Sequence, residues 1–205
     1  MKILITAFEP FGGEPVNPAL ETLRALPDTI DGAAIVKLTV PVSFARSVPV
    51  VLAAIRKESP DAVLCLGQAG GRAALTPERI AINLDDASIP DCDGAKPIDQ
   101  PISKTGAPAY FATLPVKAMV TAIQAAGVPA SLSNTAGTYV CNHLMYGVLE
   151  DLAEHAPDTI GGFMHLPYLH EQVADKPGKP SLSREEMVRG VEAAVMAIVE
   201  CLKQK

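Results

Sequence analysis

The chain has 205 residues, of which 48% are hydrophobic and 20% charged, and its formal net charge is −6. This composition is typical of a globular protein and excludes intrinsic disorder. An acidic chain without a basic stripe argues against a nucleic-acid partner, and no apolar run is long enough to span a bilayer. We therefore predict neither a nucleic-acid-binding protein nor a membrane protein.

Strand-like and helix-like segments alternate along the first part of the chain. Residues 3–8 form a continuous apolar run, as in a strand buried on both faces. Asn17 followed by Pro18 indicates an N-cap with proline in the first helical position. The predicted elements here are strands at residues 3–8, 35–42 and 62–66, and helices at residues 18–26 and from residue 43 onward.

The second part of the chain begins with a long irregular segment. Residues 85–108 are rich in Asp, Pro and Gly without hydrophobic periodicity, so they predict a long loop, which is often functional or mobile. Ser183 and Glu186 have the spacing of a capping box at the start of a terminal helix. The remaining predictions are strands at residues 79–84, 130–133 and 159–166, and helices at residues 114–126, 140–152 and 183–202.

This alternation predicts the fold class. Continuous apolar strands that alternate with helices indicate a layered α/β fold with a mostly parallel sheet. Neither an internal repeat nor a linker interrupts the chain, so we predict one domain over residues 1–205. Sites in such folds gather at the carboxyl ends of the strands. Four segments fall there: residues 8–13, residues 67–78, the turn before Cys141, and His165.

Cys141 is the candidate nucleophile. A small, polar, glycine-containing turn precedes it, so the thiol falls in the first turn of a predicted helix. Unpaired N–H groups and the helix macrodipole favour negative charge there, so we expect this thiol to ionise more easily than a free one. The alternative is a buried structural cysteine, since free cysteine is among the most buried residue types.

A cysteine nucleophile needs a base, and the base benefits from a group that orients it. His165 ends an apolar strand just before Pro167, which makes it the candidate base, and the alternative is a hydrogen-bonded core histidine. Glu78 follows the glycine-rich segment and is the candidate orienting carboxylate. Its alternative is a solvated charge at a strand start, and Asp85 and Asp86 compete for the role.

The cysteines also bear on metals and on cellular setting. Cys65, Cys92, Cys141 and Cys201 are widely scattered, and the chain has no C-x-x-C pair. A zinc site is therefore not expected, and we predict no metal and no cofactor. Reduced thiols fit a cytoplasmic setting.

Six segments together resemble the pyrrolidone carboxyl peptidases (pyroglutamyl peptidase type I), a family of cysteine peptidases. The resemblance implies a Glu–Cys–His triad of Glu78, Cys141 and His165. It implies removal of an N-terminal pyroglutamyl residue from peptides, a three-layer α/β/α sandwich and assembly as a homotetramer. The segments are Phe8-Glu9-Pro10-Phe11-Gly12-Gly13, Gly67-Gln68-Ala69-Gly70-Gly71-Arg72, Pro77-Glu78-Arg79-Ile80-Ala81-Ile82-Asn83, Ala109-Tyr110-Phe111-Ala112-Thr113-Leu114-Pro115, Gly137-Thr138-Tyr139-Val140-Cys141-Asn142-His143 and His165-Leu166-Pro167-Tyr168.

The chain departs from the family pattern at Ser88. Many members have arginine there, near the site, and serine cannot supply its charged, planar donor group. Cys92 stands in the same segment where many members have asparagine.

The implied substrate sets requirements on the pocket. A pyroglutamyl ring is a neutral lactam, which suits flat apolar walls with a few polar groups. Phe8 and Phe11 are expected to stack on the ring, with Tyr139 and Val140 beside it. Gln68 or nearby backbone groups are expected to bind the lactam N–H and C=O, which would reject proline by leaving a polar group unpaired.

Two other functions stay open from the residues. A nucleoside phosphorylase shares the general fold, but it needs a phosphate-binding arginine or glycine loop and does not need Cys141. A catalytically silent oligomeric binding protein is the second, and Ser88 is the residue that suggests it.

Overall fold

The computed structural model describes residues 1–204. It contains ten strands, five α-helices and one 3-10 helix at His170–Val173. The strands are β1 (Lys2–Phe8), β2 (Thr29–Ile30), β3 (Ala33–Val40), β4 (Ala62–Gln68), β5 (Thr76–Glu78), β6 (Ile80–Ile82), β7 (Ala109–Phe111), β8 (Ile160–Leu166), β9 (Tyr168–Leu169) and β10 (Ser181–Leu182). The helices are α1 (Pro18–Ala25), α2 (Ser47–Glu58), α3 (Val116–Ala125), α4 (Val140–His155) and α5 (Arg184–Lys203).

Six strands form one sheet in the order β2-β3-β1-β4-β8-β5. The four inner strands are parallel to one another, whereas β2 and β5 are antiparallel at the two edges. The inner strands β1, β4 and β8 are buried along nearly their whole length. The prediction of a mostly parallel sheet is confirmed.

Side chains alternate between the two faces of this sheet and build two cores. Ile3 and Ile5 of β1 pack in a core with α1, α3 and α5. Leu4 and Phe8 pack in the opposite core with α2 and α4. Because successive residues of a strand point to opposite faces, a strand buried on both faces must be apolar throughout. The result is the expected three-layer α/β/α sandwich.

Two helix caps confirm the sequence prediction and one helix start corrects it. The Asn17 side chain accepts a hydrogen bond from Ala19 N–H, and Ser183 and Glu186 form a reciprocal capping box. Helix α2, predicted from Ser43, begins at Ser47 instead. The Ser43 hydroxyl accepts a hydrogen bond from Arg46 N–H at 3.1 Å, which holds residues 43–46 in a turn before the helix.

Residues 79–84 do not form one strand. Glu78 ends β5 on the main sheet, and after Arg79 the chain enters β6, which pairs with β7 in a separate ribbon. The predicted strand at 130–133 is reduced to isolated bridges, Leu75 with Ala130 and Glu78 with Ser133. The ladder between these segments is interrupted because Pro77 has no N–H to donate.

Residues 85–108 have neither helix nor strand, as predicted. Buried Asp91 organises part of this loop, since its carboxylate accepts hydrogen bonds from the N–H groups of Phe44, Asp93 and Ala95 at 2.8–2.9 Å. None of the helices within residues 1–204 is both long enough and apolar enough to cross a membrane.

Candidate active site

The order of the strands has a switch point at β1. After β1 the chain forms β3 on one side of β1, and the next strand of this sheet, β4, lies on the other side of β1. Such a switch point opens a crevice at the carboxyl ends of the strands, where ligands of α/β proteins bind. At these carboxyl ends, the last residues of β1, β4 and β8 are Phe8, Gln68 and Leu166.

Cys141 lies in the first turn of α4, which begins at Val140 after the N-cap residue Tyr139. The Tyr139 hydroxyl donates to the Pro90 carbonyl at 3.1 Å and so does not cap the helix. First-turn N–H groups have no intrahelical partner, so those near Cys141 are available to a ligand oxygen.

Asn142 fixes the start of this helix against β6. The fully buried Asn142 amide accepts a hydrogen bond from Ile82 N–H at 3.0 Å. It donates to the carbonyls of Ile82 and Leu84 at 2.9 and 3.0 Å. Three hydrogen bonds from one side chain leave the neighbouring Cys141 little freedom to move along the helix axis.

His165 and Glu78 form a buried pair on adjacent strands. His165 Nδ1 lies 2.7 Å from Glu78 Oε1, and both side chains are at most 5% exposed. Antiparallel pairing of β5 with β8 places Thr76 opposite His165, so Glu78 lies two residues along the same edge strand. A bond to Nδ1 leaves Nε2 as the ring nitrogen that can exchange a proton with a reacting group.

Arg72 completes this cluster from the glycine-rich segment after β4. Its guanidinium donates to the same Glu78 Oε1 at 2.6 Å and to the Thr135 carbonyl at 3.1 Å. Arg72 was not predicted as a site residue. Its place in a glycine-rich segment that follows a strand was the only signal in the sequence.

Gly67 lies between the Cys141 thiol and the strand β8 that carries His165. In the β4–β8 register Gly67 is the direct partner of His165. A Cβ atom on Gly67 would lie 3.1 Å from Cys141 Sγ and 2.7 Å from Cζ of Phe163. The Phe163 ring in turn packs on the His165 ring, with centroids 4.8 Å apart. Only a residue without a side chain allows the thiol to approach so closely here.

The surroundings of the cluster set its charges. Burial lowers the pKa of His165, and the opposing effect of Glu78 does not cancel it. Burial alone would raise the pKa of Glu78, but the hydrogen bond and charge of His165 and the bond from Arg72 lower it. At neutral pH His165 is therefore uncharged and Glu78 ionised.

The expected easy ionisation of Cys141 is wrong for the free protein. Burial, reinforced by the Glu78 charge and opposed by Arg72, raises the pKa of this thiol from 9.0 to about 12. A helix N-terminus stabilises a charge by only about 0.3–1 kcal/mol, which is less than one pKa unit. Burial can shift a pKa by several units, so it outweighs the helix.

The competing carboxylates and histidines lie elsewhere. Asp85 Oδ2 pairs with His143 Nδ1 at 2.8 Å, away from His165, and Asp86 is exposed. His155 is 63% exposed, and His170 Nδ1 contacts the Ser181 hydroxyl at 2.8 Å. Of the carboxylates considered from the sequence, the structure thus pairs Glu78 alone with His165.

The expected pocket residues differ in accessibility. Phe8 is only 2% exposed and packs on Phe163, and Val140 is 1% exposed. Phe11 is partly exposed and faces Tyr139, with ring centroids 6.4 Å apart. Gln68 is partly exposed, and its Oε1 accepts a hydrogen bond from Gln172 at 3.1 Å. Phe11, Tyr139 and Gln68 therefore offer more surface to a ligand than Phe8 and Val140.

Ser88 and Cys92 are both exposed in the 85–108 loop. Partial desolvation and the charges of the neighbouring acids raise the pKa of Cys92, so this thiol is not activated. Within residues 1–204, no three His, Cys, Asp or Glu side chains converge in a way that could hold a metal ion.

Comparison with known proteins identifies the family. A family model described as pyroglutamyl peptidase matches residues 1–201. The chain belongs to the pyroglutamyl peptidase family. It is therefore a hydrolase of this family, and the resemblance drawn from the sequence is confirmed.

Curated relatives and solved structures agree with this family. Pyrrolidone-carboxylate peptidase of Streptococcus suis (strain 05ZYH33) is 58% identical over 200 residues, which cover 98% of this chain and 93% of the relative. The protein of that name from Streptococcus pyogenes serotype M4 (strain MGAS10750) is 57% identical, with the same coverage.

Two solved structures superpose closely. Pyroglutamyl peptidase I from Bacillus amyloliquefaciens is 44% identical with a TM-score of 0.93, over 96% of this chain and 94% of that one. A variant of pyrrolidone carboxyl peptidase from Pyrococcus furiosus is 39% identical with a TM-score of 0.94, over 98% and 100% of the two chains. Membership of this family decides against a nucleoside phosphorylase.

Proposed function

We propose that the chain is a cysteine exopeptidase that removes N-terminal pyroglutamyl residues from peptides through a Cys141–His165–Glu78 triad. The observation that carries the proposal is the buried pair of Glu78 with His165, where His165 is the β8 partner of Gly67 and the Cys141 thiol packs against Gly67. Names of the relatives support the pyroglutamyl substrate class.

The proposed reaction proceeds through a thioester. Cys141 Sγ attacks the carbonyl carbon of the pyroglutamyl residue while His165 Nε2 takes the thiol proton. His165 then gives this proton to the leaving amine as the peptide bond breaks. Water attacks the thioester with His165 as base, which releases pyroglutamate and restores the thiol. Cys141 N–H, in the first turn of α4, is the proposed donor to the oxyanion.

Burial determines when the proton moves in this scheme. With the Cys141 pKa raised and the His165 pKa lowered, the neutral thiol and neutral imidazole are favoured over a thiolate–imidazolium pair in the free enzyme. The proton is therefore transferred as Sγ attacks. Ionised Glu78 holds the imidazole and stabilises the cation that forms.

The substrate ring is proposed to pack against the accessible parts of Phe11 and Tyr139, whereas Phe8 and Val140, which are almost fully buried, support this surface from behind. Gln68 or the backbone groups beside it, at the end of β4, are proposed to bind the polar edge of the lactam. These partners would favour a flat neutral ring that carries a carbonyl group.

Hydrolysis of a pyroglutamyl-arylamide and of a prolyl-arylamide tests the proposal. We expect turnover of the pyroglutamyl compound alone, abolished by Cys141→Ser and unchanged by the control Cys92→Ser, which alters an exposed thiol. Absence of turnover by folded wild-type protein would overturn the proposal and favour a silent binding protein. Activity that survives Cys141→Ser would overturn the assignment of the nucleophile.

We further propose that residues 1–205 form one catalytic domain, which works in the cytoplasm as a homotetramer. One sheet joins both halves of the chain, and α1 packs with α5 from the other terminus. Exposed Phe111 and Ile98 would suit contacts between subunits. Sedimentation equilibrium gives the mass of the assembly, and a monomer at micromolar concentration would contradict the tetramer.

A further inference from the structure

Phe11 lies at one end of a tight turn and Glu14 lies at the other. Glu14 N–H donates to the Phe11 carbonyl at 3.1 Å, and the two residues between them, Gly12 and Gly13, have φ angles of 64° and 81°. Positive φ at both central residues is the geometry of a type I′ turn, which keeps its first and last Cα atoms less than about 7 Å apart. A contact that fixes Glu14 therefore also restricts where Phe11 can lie.

Lys176 makes such a contact from the segment that follows the 3-10 helix. Its Nζ lies 2.9 Å from Glu14 Oε1 and donates to the Gln172 carbonyl at 2.7 Å. The same Nζ lies 5.4 Å from the centroid of the Tyr168 ring, and exposed Asp175 is farther away than Glu14, at 3.5 Å. The Lys176 and Glu14 side chains are only 29% and 22% exposed. Because a carboxylate, a carbonyl and an aromatic face surround it, this ammonium is more restrained than one in a solvated ion pair.

Tyr168 gives the ammonium a fixed support. It begins β9, three residues after His165, and its ring covers Gly70 so closely that a Cβ atom on Gly70 would overlap it. Lys176 therefore ties the Phe11 turn to the part of the chain that continues directly from the strand of His165.

We propose that Lys176 is a positioning residue for substrate binding, which holds the Phe11 side chain against the pyroglutamyl ring through the ion pair with Glu14. The inference rests on the proposed function, in which the ring packs on Phe11, and extends it to a residue outside the pocket. Without the ion pair the turn can move away from the pocket, and the ring then loses part of its apolar contact. Since Phe11 contacts the ring both before and during the reaction, its displacement weakens binding of the substrate and of the transition state alike.

The variant Lys176→Met removes the ammonium and keeps an unbranched side chain. We expect KM for a pyroglutamyl-arylamide to rise about 2- to 5-fold with little change in kcat, because a partly exposed ion pair contributes modestly and its loss affects ground state and transition state equally. Lys176→Arg keeps the charge and should return KM close to the wild-type value. Lys179→Met makes the same substitution at an exposed lysine three residues further on and should leave both constants unchanged.

Two double variants separate positioning of Phe11 from general support of the fold. In a Glu14→Met background, Lys176→Met should raise KM no further, because the ion pair is already absent. In a Phe11→Ala background it should also raise KM no further, because the side chain that it positions is gone. If Lys176→Met does not fold, as thermal unfolding would show, Glu14→Met breaks the same pair from the other side and should give the same rise in KM.

An unchanged KM in folded Lys176→Met would overturn the inference, as would an equal rise in the wild-type and Phe11→Ala backgrounds. A fall in kcat that parallels a loss of thermal stability would also refute it, since Lys176 would then only support the local structure. A wild-type protein that does not hydrolyse the pyroglutamyl-arylamide would instead overturn the proposed function, and the inference with it.

Discussion

Replacing Gly67 with alanine should damage catalysis more than the fold. The added Cβ would lie 2.7 and 2.9 Å from two ring carbons of Phe163 and 3.1 Å from Cys141 Sγ. Ordinary contacts begin at 3.4 Å, so the ring must move by about 0.7 Å and the sulfur by at least about 0.3 Å. The Phe163 ring packs on His165, so the proposed base is displaced along with the thiol.

The expected magnitudes follow from these displacements. Overpacking of a core typically costs about 1–3 kcal/mol of stability. Misplacement of reacting groups by about 1 Å can cost about 10²-fold in rate, so we expect a loss of kcat of about 10- to 100-fold in folded Gly67→Ala. Steady-state kinetics with a pyroglutamyl-arylamide, together with thermal unfolding of the same samples, measure both effects.

Gly161→Ala provides a matched control on the neighbouring strand β8, at the end far from His165. Its Cβ would meet only leucine side chains, the nearer being Cδ1 of Leu152 at 2.5 Å, and would touch none of the proposed triad residues. We expect a comparable loss of stability without a comparable loss of kcat. If Gly67→Ala retained wild-type kcat, or if both variants lost activity in proportion to stability, the role given to Gly67 would be refuted.

Three more predictions concern the buried cluster. Because burial lowers the pKa of His165, the acid limb of kcat/KM should lie below pH 6.5. Glu78→Gln removes a negative charge that raises this pKa, so it should move the acid limb to still lower pH and reduce the rate. Arg72→Met should move the same limb to higher pH, because the Arg72 charge lowers the pKa of His165. Profiles of kcat/KM against pH for the two variants check these shifts, and a shift in the same direction for both variants would contradict the prediction. Asn142→Ala should destabilise the protein by about 2–4 kcal/mol, because three backbone groups lose their partner. Denaturant unfolding measures this loss, and an unchanged midpoint would refute it.

Local chemistry in the sequence was sufficient for most of the framework. Apolar runs predicted β1, β4 and β8, and caps at Asn17 and Ser183 predicted the starts of α1 and α5. These signals act within a few residues of each other, so they can be read without knowledge of the fold. The strands predicted at residues 79–84 and 130–133 were wrong, because their pairing depends on partners far along the chain and, for residues 130–133, on the missing N–H of Pro77.

The sequence by itself determined the residue types available for chemistry and, through their order, the family. Tertiary structure alone decided their partners and their charges. Glu78 and His165 are 87 residues apart, and only the β5–β8 pairing selects Glu78 over Asp85. Burial then reversed the expected acidity of Cys141, because desolvation depends on every layer that packs around the thiol and outweighs the effect of its own helix.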